Sequence, residues 1–111
     1  MSNTVFTSKN VVARKDYTSN YYFNFEHLIT RDANKRQIVD LNECKGFDKS
    51  EIELIQSCLD DNWQIKKGEL HYCQTGVYDG DMYIARAKIG IHEICIKHDL
   101  FYEDWNNKSQ A

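Results

Sequence analysis

Few residues in this chain can do chemistry, and their spacing limits how they can meet. His92-x-x-Cys95-x-x-His98 is the pattern closest to a metal site. On a strand, His92 and His98 share a face while Cys95 points away, so the three could converge on a tetrahedral ion only from a bulged loop. The expectation is a half-buried thiol beside two sheet histidines, with no metal. His71 and Cys73 fall on one face of a predicted strand. A Cys–His nucleophile pair also needs contact, an orienting third group and a cleft, which spacing alone does not supply. The expectation there is a solvated histidine beside a buried thiol. A ribonuclease-like acid/base pair can be drawn from His27, His71, His92, His98 and Lys88, as in any chain with four histidines. No catalytic residue is assigned, and a non-enzyme is expected. The five glycines form no phosphate-loop pattern, and no cofactor is expected. Cys44, Cys58, Cys73 and Cys95 stand 14, 15 and 22 residues apart with no Cys-x-x-Cys, so buried, reduced thiols are expected.

The elements that must position these residues follow from pattern. The 111 residues predict one domain, 1–111, with 1–4 and 106–111 frayed. Apolar residues at 41% and charged residues at 28% describe a globular chain, not a disordered one. No apolar run is long enough to span a membrane, and no charged region followed by an apolar one opens the chain, so a cytoplasmic location is expected. Val5 to Ala13 reads as a first strand or an ordered arm. Tyr21 to Ile29 reads as a strand, with Tyr21, Phe23, Phe25, His27 and Ile29 on one face. Those aromatics could stack bases, but no basic stripe accompanies them, so they are expected in the core. Gln37 to Leu41 reads as the next strand. Asp48 followed by Glu51 is a capping-box pattern, and Ile52, Ile55 and Leu59 continue it at helical spacing, with Leu54, Cys58 and Ile65 extending the apolar side. Asp79-Gly80 signals a two-residue turn that pairs Tyr78 with Asp81, Val77 with Met82 and Gly76 with Tyr83. Ile91 to Ile96 reads as a further strand, with a bulge near Gly90 where the alternation changes phase. The sum is an α+β single domain, an antiparallel sheet of about five strands with one main helix packed on one face.

The net charge of −3 excludes a strongly basic nucleic-acid binder. Its distribution says more. Residues 1–39 carry +3, residues 40–61 carry −5 and residues 62–111 carry −1. Acids also recur beside aromatics, in Asp60-Asp61-Asn62-Trp63, Tyr78-Asp79-Gly80-Asp81 and Tyr102-Glu103-Asp104-Trp105. Aromatic rings anchor interfaces and carboxylates steer basic partners. The candidate partner-binding residues are Asp48, Glu53, Asp60, Asp61, Trp63, Tyr78, Asp79, Asp81, Glu103, Asp104 and Trp105. The partner expected is a basic protein, with no direct nucleic-acid contact and no membrane.

In size, in its acidic central segment and in these acid–aromatic pairs, the chain resembles the immunity proteins of bacterial contact-dependent growth inhibition systems. That resemblance implies a non-catalytic protein that neutralises a cognate toxin domain, commonly a basic nuclease, by covering its active site; phosphate mimicry by the concentrated carboxylates is the mechanism expected. The alternatives are a phage-encoded anti-restriction or anti-CRISPR inhibitor, and a small His-dependent nuclease-like enzyme.

Overall fold

A computed structural model describes residues 5–78 and 80–100. The expectations for Asp79, Glu103, Asp104, Trp105 and the two frayed ends lie outside the described residues. The α+β class with antiparallel pairing holds. Three strands, β1 (Val5–Val12), β6 (Leu70–Tyr78) and β7 (Asp81–Ala87), form the main sheet in the order β1-β6-β7. Two short ribbons flank it: β2 (Tyr17–Thr18) with β5 (Gln64–Ile65), and β3 (Ile29–Arg31) with β4 (Gln37–Val39). Helix α1 spans Lys49–Asp60 and α2 spans Ile91–Lys97. Among the described residues no helix is long and apolar enough to cross a membrane.

The hairpin has the register that Asp-Gly dictates: Tyr78↔Asp81, Val77↔Met82 and Gly76↔Tyr83. Gly80 takes φ +84°, as a type I′ turn requires. Tyr72, Ala85 and Ala87 point from one sheet face into the main core, where Phe25, Ile55, Cys58, Leu59 and Ile91 meet them. Gly76 lies under the Tyr83 ring, and a Cβ there would sit 2.7 Å from Tyr83 Cε1 and Oη. Gly76→Ala is therefore expected to lower unfolding free energy by about 1–2 kcal/mol through overpacking, and urea denaturation measures it.

Helix α1 begins as its sequence states. The Asp48 N–H donates to Glu51 Oε1 at 2.8 Å, and Ile55, Cys58 and Leu59 are buried. Ile65 does not extend that helical face; it sits in β5, fully buried.

Two expected strands are helices. Asn20–Leu28 is a 3-10 helix, not part of a strand running to Ile29. Ser19 caps it by accepting from the Tyr21 N–H at 3.1 Å. Ser19 and Asn20 also occupy the outer edge of β7. Ser19 Oγ donates to the Arg86 carbonyl at 2.6 Å, Asn20 Nδ2 donates to the Ile84 carbonyl at 3.3 Å, and Arg86 N–H donates to Asn20 Oδ1 at 3.2 Å. Side chains thus cap an edge that would otherwise recruit a strand. The buried residues Tyr21, Asn24, Phe25 and Leu28 recur at intervals of three and four, which is helical spacing. Ile91–Lys97 is likewise a helix. Gly90 at φ +99° turns the chain, and Ile91, Ile94 and Cys95 are buried while Ile96 is exposed. The phase change near Gly90 is the onset of helical spacing rather than a bulge.

Candidate functional site

The acid–aromatic segment at the end of α1 is shaped by two consecutive left-handed residues. Asn62 has φ 54° and Trp63 has φ 58°, costly conformations for residues with a Cβ. The Asp61 N–H donates to the Ser57 carbonyl at 3.1 Å, and the Trp63 N–H reaches back to the Cys58 carbonyl at 2.7 Å. This reversal sends the Trp63 ring inward onto Phe25, with centroids 5.4 Å apart, and leaves Asp60 and Asp61 outside. Trp63 is only 9% exposed, so it departs from the expected role of exposed anchor: burial of its ring offsets the backbone strain.

Several of the expected partner-binding carboxylates already hold cations. Asp61 lies 3.2 Å from Lys88 Nζ, which also holds Glu69 at 3.1 Å. Burial alone would lower the Lys88 pKa, but the two carboxylates outweigh it and the net direction is up. Asp48 pairs with Lys97 at 3.2 Å, and Glu53 faces Lys49 at 3.8 Å. Asp60 differs. It accepts from Gln56 Nε2 at 3.0 Å, and among the described residues it pairs with no cation. Asp81 is exposed beside the hairpin turn, and Tyr78 is placed by its backbone pairing to Asp81. The structure therefore does not gather the candidates on one patch; Asp81 stands on the hairpin, away from α1.

A cleft of about 380 Å³ opens between the 3-10 helix, the β3–β4 ribbon and the end of α1. Tyr22, Leu59 and Trp63 supply its apolar wall, while Glu26, Arg31 and Gln37 supply polar groups. Gln56 fixes the ribbon to the helix beside it. Its Oε1 accepts from the Val39 N–H at 3.0 Å, and its Nε2 donates to the Gln37 carbonyl at 3.2 Å and to Asp60. That amide places Asp60 next to the Gln37 wall. Arg31 Nη1 donates to the Lys35 carbonyl at 2.7 Å across the β3–β4 turn. Asp32 organises the same turn by accepting from the Arg36 and Asn34 N–H groups at 2.9 and 2.8 Å, and these bonds hold its carboxyl below the usual range. Aromatic walls with carboxylates at the rim suit a guanidinium or ammonium side chain. A strand over Tyr21 to Ile29 puts Tyr22 and Glu26 on the face opposite Tyr21 and Phe25, so neither was among the expected site residues. The buried Tyr21/Phe25/Leu28 spacing was the signal that could have found them.

The other constellations disperse. On α2, His92 Nδ1 shares a 2.8 Å hydrogen bond with the Tyr21 hydroxyl, and its ring stacks on Tyr72 at 4.5 Å. Burial lowers the His92 pKa and raises that of Tyr21. Cys95 is fully buried, and burial pushes its thiol up to about 12. His98 bonds Glu51 Oε1 at 3.1 Å and stacks on Phe47 at 3.7 Å. Among the described residues no three His, Cys, Asp or Glu side chains gather as metal ligands. His71 is not solvated as expected; it is 0% exposed, with Arg86 and Tyr17 against it. All four cysteines are free and buried, and burial also raises Cys58 to about 12, far from thiolate chemistry near neutral pH. No family model, no curated protein and no solved structure matches the chain.

Proposed function

We propose that this chain is a non-catalytic cytoplasmic inhibitor that binds a basic protein, in the manner of the immunity proteins it resembles, with a toxin domain such as a nuclease as the partner. The observation that carries the reading is Asp60, a carboxylate at the unfavourable end of the α1 dipole that pairs with no cation among the described residues, beside a cleft walled by Tyr22 and Trp63. A basic side chain of the partner enters the cleft, its apolar stem against the rings and its charge against Asp60 and Glu26. Asp61 and Asp48, tied to Lys88 and Lys97, contribute long-range steering more than direct pairing. The test is the association rate with the product of the neighbouring reading frame, followed by stopped flow. Asp60→Lys is expected to slow association about tenfold at low salt and to flatten its salt dependence. Lysine at Asp81, away from the cleft, is expected to change it far less. Equal rates for wild type and Asp60→Lys refute the cleft as the docking site.

A further inference from the structure

The sheet face turned away from the helical core carries a feature that the acidic composition conceals. The register sets Lys9, Cys73 and Arg86 in one row across β1, β6 and β7, with Thr7, Thr75 and Ile84 in the next row. No paired strand position on this face is acidic; Glu69, just before β6 in the same alternation, is tied to Lys88 at 3.1 Å. Arg86 is held as a fixed cation. Its Nη1 donates to His71 Nε2 at 2.8 Å, and its guanidinium lies 3.8 Å over the Tyr17 ring. Arginine can only donate, so Nε2 of His71 accepts and the ring proton sits on Nδ1, directed at the Glu69 carbonyl 3.5 Å away. Among the described residues Arg86 meets no carboxylate within ion-pair distance. The positive charge continues from there. Lys15 Nζ stands 5.7 Å from the same Tyr17 ring, and the neighbouring Asp16 carboxylate is occupied by the Lys67 backbone N–H at 2.8 Å.

We propose that this face binds single-stranded nucleic acid. One backbone phosphate sits over Cys73 between Lys9 and Arg86, and the following phosphates run toward Lys15. The planar fork of Arg86, the lysine ammonium groups and the Thr75 hydroxyl match phosphate oxygens. The face is exposed at Thr7, Lys9, Met82 and Ile84 and buried at His71 and Cys73, and an extended chain lies along its exposed part. Ile84 and Met82, 49% and 77% exposed, offer unstacked bases an apolar surface that a duplex cannot use. Asp81 at the hairpin end keeps the phosphates at the opposite end of the sheet. The site shares no residue with the cleft beside Asp60, and its test contains no partner protein, so the two readings stand or fall separately.

The experiment is fluorescence anisotropy of a labelled single-stranded DNA of about 15 nucleotides with the full chain, between about 50 and 200 mM salt. Binding is expected to fall steeply with salt. Lys9→Gln and Lys15→Gln, both at exposed positions, are each expected to weaken it several-fold for every oligonucleotide sequence and to reduce the salt slope by about 0.7. An unchanged thermal midpoint shows that each variant is folded. Poly-glutamate and inorganic phosphate are the competitors, and at matched charge neither is expected to displace the DNA. No binding at about 50 mM salt, variants that bind like wild type, or displacement by either competitor overturns the proposal; displacement would make the face an acidic-peptide site or a small-anion site instead.

Discussion

Phe25→Ala is expected to cost about 3–5 kcal/mol of unfolding free energy, while Phe23→Ala costs less than about 1 kcal/mol. The two residues are two apart, so a strand over Tyr21 to Ile29 would put them on one face and bury both. The 3-10 helix separates them. Phe25 is 0% exposed and packs on Trp63, whereas Phe23 is 44% exposed and contacts the Tyr22 ring at 4.0 Å. Truncating Phe25 leaves a cavity under Trp63 and removes the support for the reversed turn at Asn62-Trp63. Urea unfolding of the two variants reads the difference directly. Equal large losses would restore the strand, and with it a different wall for the cleft.

Glu51→Ala is expected to lose about 2–3 kcal/mol, because one side chain serves both the start of α1 and the docking of α2. Glu51 accepts from the Asp48 N–H at 2.8 Å, from His98 at 3.1 Å and pairs with Lys97 at 3.4 Å. Burial on its own would raise the Glu51 pKa; the Asp48 N–H, His98 and Lys97 together outweigh it, and the folded-state value lies below the ordinary one. This contribution is therefore fully present above the unfolded glutamate range near about 4.3 and fades as pH falls through the depressed folded value. Glu51→Gln is expected to flatten that part of the acid limb in a thermal-midpoint profile against pH. A limb that keeps the wild-type slope would assign the acid sensitivity to other carboxylates.

What could be read in advance was set by local chemistry. The Asp48/Glu51 box and the Asp79-Gly80 turn each depend on a few adjacent residues, so the start of α1 and the β6–β7 register followed from sequence. The 3-10 helix did not, because aromatic residues favour a pleated surface and the decisive bonds come from Ser19 and Asn20 to β7, more than sixty residues away. Short apolar runs such as Ile91 to Ile96 satisfy a strand or a helix equally well until Gly90 sets the direction. Of the candidate site, Asp60 and Asp61 were visible as charge, but their difference was not. Lys88, brought back by β7, holds Asp61 and leaves Asp60 to Gln56. The cationic face escaped for the same reason, since Lys9, Lys15 and Arg86 are scattered along a chain whose sum is −3.

The inhibitor reading is tested most directly by co-expressing the full chain with the product of the neighbouring reading frame and passing the mixture over a sizing column. A one-to-one complex is expected that persists through the column, forms more slowly for Asp60→Lys, and restores growth to cells making the neighbouring product. Separate elution of the two proteins, with growth still arrested while the folded chain is present, would contradict it.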